Sequence, residues 1–290
     1  MCENVNSFMP RKAEGQLRIV TNNVLCQCIN ESEDRKVGLL TAYEHFNADV
    51  ITLQEADTLW NTKYGLNVEL AKLGYQLVPM NAKDRFPDKE DINNPNPVYY
   101  NTSTFDLVDS GFGEYDKSML TDGKYNPRWY SWAYLKEKTT GKELVVITTH
   151  FIWRLTDKSI TPEVNKERSD KYRVESAKQI VALVAALQEK YPLAAVLATG
   201  DYNTNYESEP YAIMKNALIS ARDVCESKVN MEYQTCNPLG KIPPVGNDHT
   251  FDHIFYSKKG IKAKHFETLV CPETYAYTDH VPAMLDFMLE

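Results

Sequence analysis

Residues 193–200 read LAAVLATG, a run in which nothing is more polar than threonine. A half-exposed strand alternates apolar with polar residues, so a short unbroken apolar run bounded by Pro192 and the polar TGDYN is a β-strand covered on both faces. The fold must therefore sandwich at least one strand between layers. Residues 17–25 (LRIVTNNVL) and 49–55 (DVITLQE) read as further strands, as do 98–101, 105–110, 129–137, 144–150, 251–257, 264–269 and 281–289. The turn Thr139–Lys142 joins two of them as an antiparallel hairpin. Val37, Leu40, Tyr43 and Phe46 fall at helical spacing, residues 64–73 form a second helix, and 209–218 another. Residues 172–189 form the longest, with Ala177, Ile180, Val181, Val184 and Leu187 on one stripe and Pro192 as the stop. Residues 83–97, rich in Pro, Asn and Asp, read as an exposed loop.

Helices lie between strands, yet several strand pairs are hairpins, so the sheets are mixed and mostly antiparallel. The fold class expected is α+β: a four-layered α/β/β/α sandwich, two sheets face to face with helices outside. No linker divides the 290 residues, and one domain over 1–290 is expected, with 1–15 as an extension. Composition removes several functions. No apolar stretch is long enough to span a bilayer. With 32 Lys+Arg against 40 Asp+Glu, the net charge of -8 argues against a nucleic-acid coating protein, though not against an enzyme that meets phosphate through a metal. The N-terminal MCENVNSFMPRKAEGQ lacks the apolar core of a secretory signal, so a cytoplasmic location is expected. Six scattered cysteines show no zinc spacing and read as free buried thiols.

Four apolar strands end in a residue able to hold a metal or a phosphate: Asn23, Glu55, His150 and Asp201. Taken singly, each has an ordinary reading as a strand-end polar residue. Taken together, neighbouring strands place such ends along one rim, where residues distant in sequence converge. Asn203 lies two residues beyond Asp201, after a glycine that permits close backbone approach, and strand alternation aims both side chains the same way. Asp252 shares a strand face with Thr250 and Ile254, while His253 faces the opposite way and is structural. Asp252 is thus placed to orient His280, whose neighbour Asp279 supplies another carboxylate. Asp, Glu and Asn favour a hard, oxygen-loving ion over zinc.

The segments TNNVL, ITLQEAD, VVITTHF, TGDYNTNYESEPY, TFDHIFYS and YTDHVPA, in that order along nearly the whole chain, resemble the endonuclease/exonuclease/phosphatase superfamily, also called the deoxyribonuclease I-like fold. NPVYYNTSTFDLVDSG and PRWYSWAYLK are similar to its central strands, and Arg128 stands where the family often has arginine. The resemblance implies a Mg²⁺-dependent hydrolase of phosphoric esters, with Mn²⁺ able to substitute. It makes Glu55 the principal metal ligand, with Asn23 and Asp279 in or beside the metal shell. Asp201 and Asn203 would position and activate the attacking water. His280, oriented by Asp252, would act as general base or phosphate stabiliser. His150 would bind phosphate or act as general acid, and Asn23, Arg128 and Asn203 would contact substrate. One departure is Leu25, where some relatives carry aspartate.

The substrate is narrowed in part. NDHTFDHIFYS replaces the signature of inositol phosphatases, and Thr250 stands where abasic-site enzymes carry arginine. Gly-Asp-Tyr-Asn followed by Ser208 and Tyr211 resembles poly(A) nucleases and bacterial members of the family. The basic clusters (Lys258, Lys259, Lys262 and Lys264; Lys166, Arg168 and Lys171) are too small for a duplex track. A phosphodiesterase or nuclease acting as a monomer on a nucleic acid, nucleotide or lipid headgroup is expected, ahead of a phosphomonoesterase or a sphingomyelinase-type enzyme. A binding module without turnover ranks lower, because every motif except Leu25 is filled. Trp153, Tyr202 and Tyr206 either stack a ring of the substrate or pack on the sandwich edge.

Overall fold

The protein is described by a computed structural model covering residues 12–26, 32–56, 60, 64–79, 96–116 and 128–290. The seven-stranded sheet contains β1 (Leu17–Asn23), β2 (Val50–Gln54), β3 (Tyr75–Leu77), β4 (Val98–Asn101), β10 (Ser227–Val229), β12 (Ile261–Thr268) and β13 (Ala283–Leu289), in the order β10-β12-β13-β1-β2-β4-β3. The six-stranded sheet contains β5 (Phe105–Glu114), β6 (Trp129–Glu137), β7 (Glu143–His150), β8 (Ala195–Asp201), β9 (Ile219–Ser220) and β11 (Asp252–Tyr256), in the order β5-β6-β7-β8-β11-β9. Only β1/β2, β7/β8 and β10/β12 pair in parallel among the described residues. The sheets are therefore mixed and mostly antiparallel, as expected.

Strand alternation builds the layers. On β1, β2, β7 and β8 one set of side chains, including Ile19, Val50, Val146 and Leu197, meets between the sheets. The alternate set, including Val20 and Ile51, faces α1 (Ser32–Phe46) and α2 (Leu66–Lys72). On the other side Val145, Ile147, Val196 and Ala198 face α3 (Pro162–Lys190) and α4 (Glu209–Ala217). Helices therefore cover both outer faces of the sandwich. Each aliphatic side chain sealed this way contributes about 1.5–3 kcal/mol relative to exposure. Two single-turn helices, α5 (Ala221–Val224) and α6 (Pro272–Tyr275), complete the description. Among the described residues no helix is long and apolar enough to cross a membrane.

Several local readings change. The long helix α3 starts ten residues before the expected Tyr172, with Thr161 capping Val164 N–H and Pro162 in its first turn. Its first turns bury only the polar Asn165 and Ser169, so they show no apolar stripe. On α1 the buried face is Leu39, Ala42, Tyr43 and Phe46, whereas Val37 is exposed. Residues 83–95 lie outside the described residues, but Asn96 and Pro97 at the end of the expected loop are buried, and Asn96 donates to the Trp129 carbonyl. The described cysteines are free, but only Cys225 is buried. Cys2 and Cys28 lie outside the described residues.

Toward the C-terminal ends of β1, β2, β7 and β8 the inter-sheet layer changes from apolar to polar. Thr52 Oγ1 meets Thr199 Oγ1 across the sheets at 2.8 Å. Gln54 Nε2 donates to Thr148 Oγ1 at 3.0 Å and to Thr21 Oγ1 at 3.1 Å. These groups satisfy one another, which a buried polar layer requires. Beyond this belt the strand ends open onto the site.

Candidate active site

The inner-face parity that buries Ile19, Val146 and Leu197 carries Asn23, His150 and Asp201 to the same rim. β7 and β8 run parallel with His150 opposite Asp201, and β11 runs antiparallel with Asp252 opposite Asp201. Gly200 makes this registry possible: its φ of 140° and its closeness to the Thr149 carbonyl leave no room for a Cβ. Glu55 follows β2 in a left-handed conformation, φ 59°, a strained arrangement of the kind that concentrates at functional sites.

Asp201 is the hub. Asn23 Nδ2 donates to Asp201 Oδ2 at 3.0 Å and to Glu55 Oε1 at 3.1 Å, bracing two carboxylates that would otherwise repel. Asn23 Oδ1 accepts the Leu25 amide at 3.0 Å, so the Asn23 side chain is committed to orienting its neighbours. His150 Nε2 lies 3.4 Å from Asp201 Oδ2 and 3.9 Å from Glu55 Oε1. His280 Nε2 lies 3.8 Å from the same Asp201 oxygen, and its Nδ1 is 2.8 Å from Asp252 Oδ2. Asp252 is thus placed to orient His280.

Asn203 departs from expectation, whereas Tyr202 takes the packed alternative of the two expected for the aromatics. Asn203 takes a left-handed φ of 48°, which ends the strand alternation, so its side chain does not lie parallel to that of Asp201. Its amide N–H instead caps Asp201 Oδ1 at 2.8 Å and its Nδ2 donates to the Phe151 carbonyl at 2.9 Å. Tyr202 is buried among Phe151, His253 and Phe255, whereas Trp153 stands open. Tyr206 is held by Asn247 and by the Arg222 guanidinium over its ring.

The charge states differ around the hub. Burial, with the Asp252 charge behind it, raises Asp201 to about 7 against the pull of His280 and Asn23. Burial alone would neutralise His280, but Asp252 and Asp201 lift it well above the usual histidine range. His150 goes the other way: burial and the Arg128 guanidinium lower it to about 3. Arg128 Nη1 approaches His150 Nδ1 at 3.2 Å, which makes Nδ1 the acceptor and leaves Nε2–H pointing at Asp201 and Glu55. Glu55 is opposed by burial, yet the His150 ring, the Cys26 amide at 3.0 Å and Asn23 hold it down at about 2. Burial raises Asp279, and the Glu55 charge adds to the shift.

Glu55 and Asp201 have hydrogen-bond donors but, among the described residues, no lysine or arginine beside them. Neither Glu55, Asp201 nor Asp279 makes an ion pair with lysine or arginine among the described residues. Asp252 Oδ1 and Asp279 Oδ1 are buried without a hydrogen-bond partner there. No three His, Cys, Asp or Glu side chains among the described residues converge as a complete ligand set. Mg²⁺ needs none, because it keeps several waters and takes one or two carboxylates. Glu55 and Asp279, whose charges act on each other, are the two carboxylates that could meet that demand.

Four positioning residues went unread in the sequence. Asn22 Nδ2 donates to the His280 carbonyl at 3.1 Å and is itself held by Tyr43. Thr278 Oγ1 donates to the Asn23 carbonyl at 2.6 Å. Thr235 Oγ1 accepts the Phe251 and Asp252 amides, and its carbonyl accepts Val281 N–H. Arg35, buried on α1, donates to the carbonyls of Tyr277, Val24 and Leu25, tying the end of β1 to the loop that carries Asp279 and His280. The capacity to donate to carbonyls this distant in sequence leaves no local signal.

The fold is a two-sheet α/β sandwich whose strand ends gather carboxylates, an asparagine and two histidines at one rim. The model of the Endonuclease/Exonuclease/phosphatase family matches residues 4–280, and the chain belongs to that family, whose members generally hydrolyse phosphoric esters. None of the curated proteins matches the chain. Among solved structures, a mannosyl-6-phosphatase from Bacteroides thetaiotaomicron is similar with a TM-score of 0.74 and 20% identity, covering 94% of this chain and 100% of that one. The human Nocturnin catalytic domain with bound sulfate has a TM-score of 0.67 and 20% identity over 96% of each chain. TDP2 of D. rerio with a single-strand DNA product has a TM-score of 0.62 and 17% identity, over 94% of this chain and 99% of that one. At these identities the likeness establishes the fold alone.

Proposed function

We propose that this chain is a divalent-metal-dependent phosphoric ester hydrolase that cleaves a P–O bond by in-line attack of water. The observation that carries the reading is the Asp201 carboxylate, reached by Asn23, His150 and His280 from three strand ends and loops. Attack builds charge on the non-bridging and leaving oxygens, and preorganised donors aimed there supply most of the stabilisation. Glu55 and Asp279 would hold Mg²⁺, which would supply positive charge to the phosphate oxygens.

The remaining work falls to the chain itself. Asp201, with its raised pKa, accepts the proton of the attacking water. His280, held as an imidazolium between Asp252 and Asp201, stabilises the phosphate charge and can return a proton. His150 is neutral, so of its two expected roles phosphate binding through Nε2–H fits better than general acid. Arg128 fixes that tautomer. Asn203 caps Asp201 and shapes the wall beside it.

The phosphodiesterase or nuclease reading stands first, because the motif order resembles nucleases and the fold is shared with a protein bound to a DNA product. A phosphomonoesterase is the second reading, favoured by an acid-lined cleft next to Asn203 and by the likeness to a mannosyl-6-phosphatase. Hydrolysis of bis-p-nitrophenyl phosphate against p-nitrophenyl phosphate, in Mg²⁺ or Mn²⁺, separates them. EDTA should abolish turnover and Mg²⁺ restore it, and Asp201→Asn should lower kcat at least ~100-fold. Turnover that survives both treatments rejects the mechanism.

A further inference from the structure

We infer that the cleft beside Asn203 holds the leaving group of the ester, and that this group is a neutral, hydroxyl-bearing ring of the sugar class; the inference rests on the phosphoester reading above and, within it, favours the second reading, the phosphomonoesterase, over the nuclease. The cleft encloses about 510 Å³. That is the size range of small-molecule sites. Asn203 forms one wall, which joins the cleft to the Asp201 hub.

Its floor is aromatic and anchored in the catalytic strands. Trp153 lies three residues beyond His150, and Phe251 immediately precedes Asp252. The Trp153 and Phe251 rings are 5.3 Å apart at 55°, and His249 closes a corner against them at 6.4 Å and 5.4 Å. Trp153 is 44% exposed, and its indole N–H has no acceptor among the described residues. An apolar ring face with an uncommitted donor suits a ligand that is apolar on one side and hydroxylated at its edge.

Charge and ring geometry select within that description. The three carboxylates of the lining, Asp170, Glu209 and Asp248, outnumber its cations. Lys166 and Arg173 both pair with Asp170, and Arg173 also donates to the carbonyls of Ile152 and Trp153. A second phosphate, and so a continuing polynucleotide strand, meets net negative charge there. Carboxylates accept from hydroxyls without such a penalty. The inclined rings form a corner and not a parallel slot, which gives a flat base one stacking face only. A sugar ring needs only one.

The test separates this inference from the hydrolase reading. Asp201→Asn protein is titrated by calorimetry with glucose 6-phosphate, mannose 6-phosphate, 5′-AMP and methyl phosphate, with and without Trp153→Ala. The hexose phosphates are expected to bind more tightly than AMP and methyl phosphate. Trp153→Ala should weaken hexose phosphate binding at least ~10-fold while leaving methyl phosphate within ~2-fold, and Trp153→Phe should restore most of the loss. Hexose phosphates that bind no tighter than methyl phosphate, AMP that binds more tightly than either hexose phosphate, or a Trp153→Ala loss shared equally by all four overturn the inference. Turnover of p-nitrophenyl phosphate with any of these failures leaves the hydrolase standing. Trp153-dependent hexose phosphate binding in a chain that hydrolyses no ester sustains the cleft and removes the reaction.

Discussion

His150 and His280 both approach the same Asp201 oxygen, at 3.4 Å and 3.8 Å, and both are buried. Burial pushes each toward the neutral ring, yet they end in opposite charge states. On the His280 side Asp252 and Asp201 flank the imidazole and hold its proton. On the His150 side burial, joined by a guanidinium at the Nδ1 lone pair, expels the proton. Neighbouring charge separates the two: at His280 it overrides burial, and at His150 it adds to it. One site thereby obtains a cationic stabiliser and a neutral directed donor from the same residue type.

The largest expected effect comes from removing the cation. His280→Ala should lower kcat by about 10²–10⁴-fold with folding intact, as read by steady-state kinetics alongside circular dichroism. Asp252→Asn should follow it closely, because the amide no longer favours the imidazolium. Equal activity in Asp252→Asn and wild type would show that His280 needs no carboxylate behind it. On the other side Arg128→Met should cost less, about 10–100-fold in kcat/KM, since Nε2–H survives in part of the population. The sign of its pH effect is fixed. Without Arg128 the His150 pKa rises from about 3 toward the ordinary value, so the neutral ring is lost at higher pH and the acidic limb of the rate profile moves up. A limb that stays in place would mean that Arg128 does not set the charge of His150.

The contrast was legible in the sequence only as far as strand parity reaches. Asn23, His150, Asp201 and Asp252 were readable because a period of two fixes which strand residues face inward. The apolar runs before them located the strand ends. The Asp252–His280 pair followed from the same parity. Arg35, Asn22, Thr235 and Thr278 were not readable, because each acts through a carbonyl or amide brought near by tertiary structure. Asn203 misled, because its left-handed backbone breaks the alternation that the reading assumed. Charge states lay further still from the sequence: nothing local to His150 announces Arg128, which arrives from the start of β6.

His253 supplies the third case, a histidine buried as deeply but given no flanking charge strong enough to hold a proton. It faces the outer layer against Tyr211 and Phe255, and its Nε2 meets the Thr204 carbonyl at 2.7 Å. Burial lowers it to about 4. The folded state therefore binds fewer protons than the unfolded chain, whose histidine titrates near the ordinary value. Stability from this group is complete above that value, falls as pH drops through it, and stops falling below about 4. By pH 5 the loss should reach about 2 kcal/mol. His253→Gln keeps a donor for Thr204 and removes the titration. The variant should be slightly less stable than wild type at pH 7, by about 1 kcal/mol, and should match or exceed it at pH 5 in urea unfolding. Parallel losses in both proteins would show that His253 does not stay neutral in the fold, and that burial among aromatic rings cannot do for a histidine what Arg128 does for His150.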